Sequence, residues 1–252
     1  MNYITCNFQG RLGNLMYEIA ATISAAIDNG MEPAFPREIH TYYQGLPAFT
    51  EYIEPIISRY KRYNENEIEF TDYHEPANLS FKPLEFKQNT RINGYFTTSL
   101  YFKNNLKTIN ELFYRGYEYL DNLDTKDKWT IHVRRTDYVT DYNWALPLKY
   151  YREAVKLIYS HNDFHDSQFV VFTDDKDWCK ENLKIGYVEY IDKADYIELL
   201  MMSRFSNHII ANSTFSAMAA ILGPQPKKVI APKNWCPTLF NPNVHEPSWI
   251  QL

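Results

Sequence analysis

Short apolar runs alternate with longer stretches whose apolar positions recur every three or four residues, and the alternation is clearest in the second half of the chain. Trp129 to Val133, Phe169 to Phe172, Tyr187 to Ile191, His208 to Ala211 and Val229 to Ala231 read as strands. Between them, Leu148 to Ser160 places Tyr151, Val155 and Ile158 on one helical face. Ala194 to Phe205 has helical spacing, and Ala217 to Leu222 reads as a helix stopped by Gly223-Pro224. Strands separated by helices favour a parallel sheet with helices on both faces. The first half opens the same way. Residues 2–8 read as a strand, Gly10-Arg11-Leu12-Gly13-Asn14 as a loop, and Leu15 to Asn29 as an Ala-rich helix with Gly30 as its stop. Gly10 and Gly13 fall short of the full dinucleotide-binding fingerprint, and a tight turn needing positive φ accounts for both.

From Pro33 to Lys87 the pattern loses its period, and short helices and strands joined by loops are expected. Arg91 to Phe96 reads as a strand running into a turn, followed by helices near Leu100 to Asn105 and over Ile109 to Leu120. Asp121 to Lys128, polar or charged apart from Leu123, has the composition of a linker, giving domains at residues 1–124 and 125–252.

Composition narrows the function classes. A chain of 252 residues with 45% hydrophobic and 16% aromatic content can bury a sizeable core. Its net charge of -5, without a basic tract, gives no electrostatic footprint for nucleic acid, so any anion site must be built from a few placed arginines. Cys6, Cys179 and Cys236 stand far apart, which argues against a disulfide framework or a structural zinc site. The first residues lack a basic and a hydrophobic leader region, and the apolar run Ile19 to Ile27 is too short to span a bilayer. A soluble cytoplasmic protein is therefore expected, with no nucleic-acid partner and no transmembrane segment.

Three expected strand ends in the second half carry polar clusters: His132 to Asp137, Thr173-Asp174-Asp175, and Asn212 to Ser216. In a parallel sheet these ends share one edge, where open α/β sheets bind ligands. Arg134 and Arg135 present rigid forks of donors suited to a pyrophosphate; an exposed salt-bridge knot is the plain alternative. Asn212-Ser213-Thr214 precedes a helix, whose free amides favour an anion, with Ser213, Thr214 and Ser216 hydroxyls at hand; an ordinary N-cap explains the same residues. Asp174 and Asp175 are candidates for ribose hydroxyls, for a helix start, for neutralising Arg134 and, more weakly, for a metal. Asp195 and Glu198 lie one turn apart, placed either for a guanine edge or as a solvated helix face. Tyr95, Phe96, Tyr101, Phe102, Trp144 and the tyrosines of 42–63 are stacking candidates for sugar rings, though most tyrosines in so Tyr-rich a chain must be core or ordinary surface.

Taken in order, these segments resemble the α-1,2-fucosyltransferases. Gly10-Arg11-Leu12-Gly13-Asn14-Leu15-Met16 is similar to the family's GRLGNQM signature, with Leu15 in place of glutamine. Gly94-Tyr95-Phe96 with Tyr101-Phe102 is similar to GYFQS-x-x-YF, and His132 to Val139 to HxRRxDYV. Phe172 to Asp175 with Trp178-Cys179 is similar to FSDD-x-x-WC, Ile209 to Ser216 to IIANSTFS, and Val229 to Pro232 to VIAP. Ala217-Met218 stands where the family has two tryptophans, and the region around residues 35–90 is short.

The resemblance implies a GT-B fold, α/β with two Rossmann-like domains facing across a cleft, acting without a metal or resident cofactor. It implies a GDP-β-L-fucose donor held by the second domain through His132, Arg134, Arg135, Asp174, Asp175, Asp195, Glu198, Asn212, Ser213, Thr214 and Ser216. Gly10, Arg11, Gly13 and Asn14 would lie on the acceptor side. The expected partner is an oligosaccharide, with the fucose passing to a galactose 2-hydroxyl by inversion, and peripheral association with glycan-assembly machinery is compatible. Charge developing on the β-phosphate would fall to Arg134 and Arg135, each worth ~3–4 kcal/mol in the transition state. Inversion calls for a base, for which Asp137 and Asp141 compete, Asp137 being equally placed to orient an arginine. A fucosyltransferase relative with another acceptor or GDP-sugar, and a non-catalytic nucleotide-sugar or glycan binder, are the alternatives.

Overall fold

A computed structural model describes residues 1–39, 45–160, 168–186, 188–236 and 244–252. Tyr42, Tyr43 and Tyr187, named above, lie outside the described residues.

The chain divides into two compact units, Met1–Arg115 with Pro242–Val244, and Gly116–Asn241 with His245–Leu252. The expected boundary at residue 124 lies inside the second unit. There the short turn Glu118–Asn122 and the ion pairs Arg204–Asp121 and Lys128–Asp124 tie the polar stretch down.

In the first unit the strands are β1 (Tyr3–Cys6), β2 (Glu32–Pro36), β3 (Lys61–Tyr63), β4 (Thr71–His74) and β5 (Thr90–Asn93). They pair in parallel in the order β3-β2-β1-β5-β4. The helices are α1 (Leu12–Asp28), α2 (Glu54–Ile57) and α3 (Leu106–Tyr114). Helix α1 begins three residues earlier than its apolar pattern suggests, so Gly13 sits in its first turn and only Gly10 takes a positive φ, 76°. It ends as expected: Gly30 has φ 63°, its amide reaches Ile27 O and the Met31 amide reaches Ala26 O, closing the carbonyls of the last turn. The expected helix near Leu100 is two short 3-10 turns, Ser99–Tyr101 and Lys103–Asn105. The helix expected to reach Leu120 stops at Tyr114 because Gly116 turns left-handed, with its amide held by the Glu118 carboxylate.

The second unit holds β6 (Lys128–Val133), β7 (Gln168–Thr173), β8 (Val188–Tyr190), β9 (Asn207–Ile209), β10 (Lys228–Ala231) and β11 (Ile250–Gln251). They are parallel in the order β11-β10-β9-β6-β7-β8. Its helices are α4 (Thr136–Thr140), α5 (Leu148–Ser160), α6 (Lys176–Asn182), α7 (Asp195–Ser203) and α8 (Thr214–Ile221). Helix α5 presents Tyr151, Ala154, Val155 and Ile158 to Trp129, Ile131 and Val133 on one face of β6. Strand β6 is buried on both faces although its sequence alternates, with Trp129, Ile131 and Val133 on one side and the polar Thr130 and His132 on the other. On its other face Thr130 bonds the His208 ring, which also meets Phe205 O, a buried polar tie between β6 and β9. Among the described residues, no helix is long and apolar enough to cross a membrane.

Candidate active site

The chain of the second unit runs outward from β6 to β7 to β8, then returns to β9 on the other side of β6. The reversal lies between β6 and β9, and ligands bind open α/β sheets outside the carboxyl ends at such a point. All three polar clusters stand on this edge. Those after β6 and β9 flank the reversal, and the one after β7 is next to it.

Arg134 lies between two carboxylates, with Nη2 at 2.6 Å from Asp137 and Nη1 at 2.9 Å from Asp174. Its guanidinium also lies over the Tyr138 ring at 5.6 Å. The Tyr138 hydroxyl donates to Asn212 O at 3.0 Å, linking the β6 and β9 clusters directly. Arg135 is held differently. Its Nε meets Asp175 at 3.2 Å and its guanidinium stacks on Trp178 at 3.8 Å, while its two terminal amines have no partner among the described residues. Asp174 is a hub, accepting from Arg134, from the Arg135 amide (2.8 Å) and from the Thr136 hydroxyl (2.6 Å). Asp175 caps α6 by accepting from the Trp178 amide at 3.1 Å. Of the options open in the sequence, Asp174 neutralises Arg134 and Asp175 starts a helix. Asp175 and Asp177 stand at an Asp-x-Asp spacing, yet both Asp175 oxygens are engaged with protein groups. Among the described residues no three metal-ligating side chains gather.

His132 is buried, stacks on Phe215 at 5.0 Å and leaves Nδ1 without a hydrogen-bond partner among the described residues. Burial, reinforced by the Arg134 charge, pushes its imidazole down to about 3, so it is neutral at physiological pH. Asn212 donates to Trp144 O at 3.0 Å, and its Oδ1 is buried without a partner among the described residues. Ser213 stands at the start of α8 in extended conformation and makes no side-chain cap bond, so the plain N-cap explanation does not hold; Thr214 is the first helical residue. Ser216 departs from expectation. It is fully buried, and its hydroxyl turns back to the Ser213 and Ala211 carbonyls instead of facing a ligand.

Asp195 and Glu198 lie in the first turn of α7, on the same edge, beyond β8. Burial raises both. Asp195 accepts the Tyr196 amide, and Glu198, raised to about 7, accepts the Lys193 amide at 3.0 Å. A solvated helix face therefore does not describe them. Asp141 is exposed at the end of α4 and accepts the Thr140 hydroxyl at 2.6 Å.

In the first unit Gly10 and Arg11 lie in the turn between β1 and α1, with Arg11 at the N-cap of the helix, while Gly13 and Asn14 lie inside its first turn. A Cβ at Gly10 would collide with the Asn14 amide, so the glycine is needed for space as well as for φ. Sequence reasoning assigned no role to Trp178, Tyr138, Phe215 or Thr136. All four lie within the quoted motifs, but which site residue each would touch is a matter of packing.

Comparison with solved structures defines the class first. The fucosyltransferase NodZ from Bradyrhizobium aligns over 94% of this chain and 96% of its own, with a TM-score of 0.53 at 13% identity. NodZ α-1,6-fucosyltransferase co-crystallized with GDP aligns over 89% and 93%, also at 0.53, with 14% identity. With two parallel-sheet units, the fold is α/β of the GT-B glycosyltransferase type. The chain belongs to the family described as Glycosyl transferase family 11, whose model matches residues 1–252. The Escherichia coli O-antigen biosynthesis glycosyltransferase WbnK is 33% identical over 135 residues, a match spanning 49% of this chain and 44% of that protein. An Escherichia coli α-1,2-colitosyltransferase is 26% identical over 278 aligned positions, 93% of each chain.

Proposed function

We propose that the protein transfers L-fucose from GDP-β-L-fucose, with inversion, to the 2-hydroxyl of a galactose-terminated oligosaccharide. The observation that carries this reading is the arginine pair on the strand-end edge at the β6–β9 reversal, where the two terminal amines of Arg135 have no partner among the described residues. A diphosphate leaving group needs charge stabilisation of that kind. Arg134 and Arg135 face three carboxylates, Asp137, Asp174 and Asp175, so the protein-only cluster is not net positive. A donor diphosphate therefore engages Arg135 and the α8 amides first, and shares Arg134 with Asp137 and Asp174. Asp195 and Glu198 are assigned to the guanine edge, His132 to shaping the pocket, and Asn14 with its loop to the acceptor. Asp137, engaged by Arg134, is assigned the orienting role, which leaves Asp141 as the base that takes the acceptor proton. Metal independence belongs to the same proposal.

The likeness to an α-1,2-colitosyltransferase over most of both chains favours one second reading, in which the same site transfers a different GDP-linked sugar by the same chemistry. Calorimetry with GDP-fucose and other GDP-sugars, followed by an acceptor array, separates the two. Preferential binding and turnover of GDP-fucose supports the first reading, and preference for another GDP-sugar the second. Absence of any GDP-sugar binding contradicts both.

A further inference from the structure

One lysine of the second unit reaches two helix ends at once. Lys227 lies just before β10, and its Nζ donates to Ser203 O at 2.6 Å and to Ala219 O at 3.0 Å. These carbonyls belong to the last turns of α7 and α8, where carbonyls lack a partner within the helix and carry the negative end of its dipole. Neighbouring carbonyls are met locally. The Arg204 and Phe205 amides take Met201 O and Met202 O, the Ser203 hydroxyl takes Leu200 O, the Leu222 amide takes Met218 O, and Gln225 takes Ile221 O. Lys227 alone of these groups bonds to both helices, which pack against each other.

The same amine stands 3.4 Å from Nε2 of His208, the ring that ties β9 to Thr130 of β6. Burial, with the Lys227 charge added, holds this imidazole well below the usual histidine range, so it stays neutral beside the amine. One polar cluster therefore joins four elements, α7, α8, β9 and β6. Each of them delivers residues to the strand-end edge from its other end. Helix α7 begins with Asp195 and carries Glu198 in its first turn, α8 begins with Thr214, β9 runs on to Asn212, and β6 runs on to Arg134 and Arg135. At about 1.5 Å of rise per residue, the start of α7 lies about 12 Å from the tie and that of α8 about 8 Å, so a tilt of less than about 10° at the tied ends shifts either start by about 1 Å. That takes a hydrogen bond of ordinary length out of range.

We propose that Lys227 is a positioning residue for the donor site, fixing α7 and α8 relative to each other so that their starts grip the two halves of a guanosine diphosphate in register. This inference rests on the glycosyl-transfer reading, which assigns Asp195 and Glu198 to the guanine edge and the α8 amides to the diphosphate, and deepens it by naming what holds the two halves of that site together. The role has its own signature. With the two helix starts out of register, a ligand that bridges both loses the advantage of engaging them at once, while a ligand that touches one keeps its affinity.

The test compares GDP, guanosine and inorganic pyrophosphate on the full chain, by calorimetry for GDP and by ligand-observed NMR for the two halves. Lys227→Met removes the donor and keeps an unbranched side chain. It should weaken GDP about tenfold or more, the size of one lost hydrogen bond to a charged group, and leave guanosine and pyrophosphate within about twofold of wild type. Lys227→Gln, shorter but still a donor, reads the same split in a milder form should the methionine variant fail to fold. Ile158→Ala lies in the core cluster on the opposite sheet face, which holds no residue of α7 or α8; it destabilises the same unit and should leave all three affinities unchanged. Unchanged GDP affinity in the Lys227 variants, equal losses for GDP and its two halves, or an equal GDP loss in Ile158→Ala would make Lys227 a structural tie only, and the proposal fails. Absence of GDP binding in wild type is a separate result, and it contradicts the transferase reading on which the proposal rests.

Discussion

Arg134 and Arg135 are adjacent in sequence and differently held. The first has both terminal nitrogens on carboxylates, and the second is fixed from behind by Asp175 and Trp178, its outer amines without a partner among the described residues. Both are expected to be needed for transfer, since Arg134 closes the Asp137–Asp174 pair against which Arg135 and Thr136 are ordered. Arg134→Ala and Arg135→Ala should each lower kcat by a factor of about a hundred or more, with a circular dichroism spectrum still that of the folded protein. Near-wild-type turnover in both would remove the arginines from the site. Asp137 and Asp141 separate by pH dependence. Asp137→Asn should reduce kcat about tenfold by loosening Arg134 and leave the acid-side limb of the rate profile in place, whereas Asp141→Asn should abolish that limb. A limb unchanged in both variants takes the base role away from both. The arginines and aspartates were legible in the sequence because charged residues at the end of an apolar strand stand out. Trp178 under Arg135 was not, because a tryptophan on a helix face has the same local pattern whether it packs on a core or on a guanidinium.

At the scale of elements, periodicity located the second unit closely. Helix α5 spans the residues its pattern predicts, β6 and β10 extend the predicted runs by one residue, and β7 extends its run by one at each end. It did worse where local backbone chemistry overrides pattern. Helix α1 starts at Leu12, so Gly13 is helical, and Gly116 cuts short a run whose apolar spacing continues. Pro33 to Lys87 has short strands joined by turns, and three-residue strands such as β3 carry too little period to read. Lys227 was missed for a related reason: a lysine just after a helix stop reads as turn or surface, and its reach to two helix ends is set by packing. The glycines allow a direct check. Gly10→Ala meets both a positive φ and the Asn14 amide, and should cost about 2 kcal/mol or more. Gly30→Ala meets the φ alone in open space, and should cost about 1 kcal/mol. Urea denaturation giving equal losses would show that the Asn14 contact does not constrain the loop.

For the whole molecule, the two parallel-sheet units and the family membership followed from the alternation of strands and helices and from motifs in a fixed order. The division after Arg115 did not, because the polar run taken for a linker is anchored by ion pairs that composition does not reveal. Global stability should carry the mark of one buried acid. Glu198 titrates near 7 when folded against an ordinary value of 4.5, so neither state ionises it below about pH 4.5. As pH rises from there to about 7 the unfolded chain ionises first and stability falls, staying at the lower level above. Glu198→Gln keeps an acceptor for the Lys193 amide and should raise Tm by about 2–4 °C at pH 8 while leaving it unchanged at pH 4. An equal shift at both would place the effect in packing. The most direct test of the transferase reading is release of GDP from GDP-fucose when a β-galactoside is added, in wild type and in Arg135→Ala. The account predicts acceptor-dependent release in wild type, with an α-1,2-linked product, and its loss in the variant. Release that ignores the acceptor, or that survives without Arg135, would contradict it.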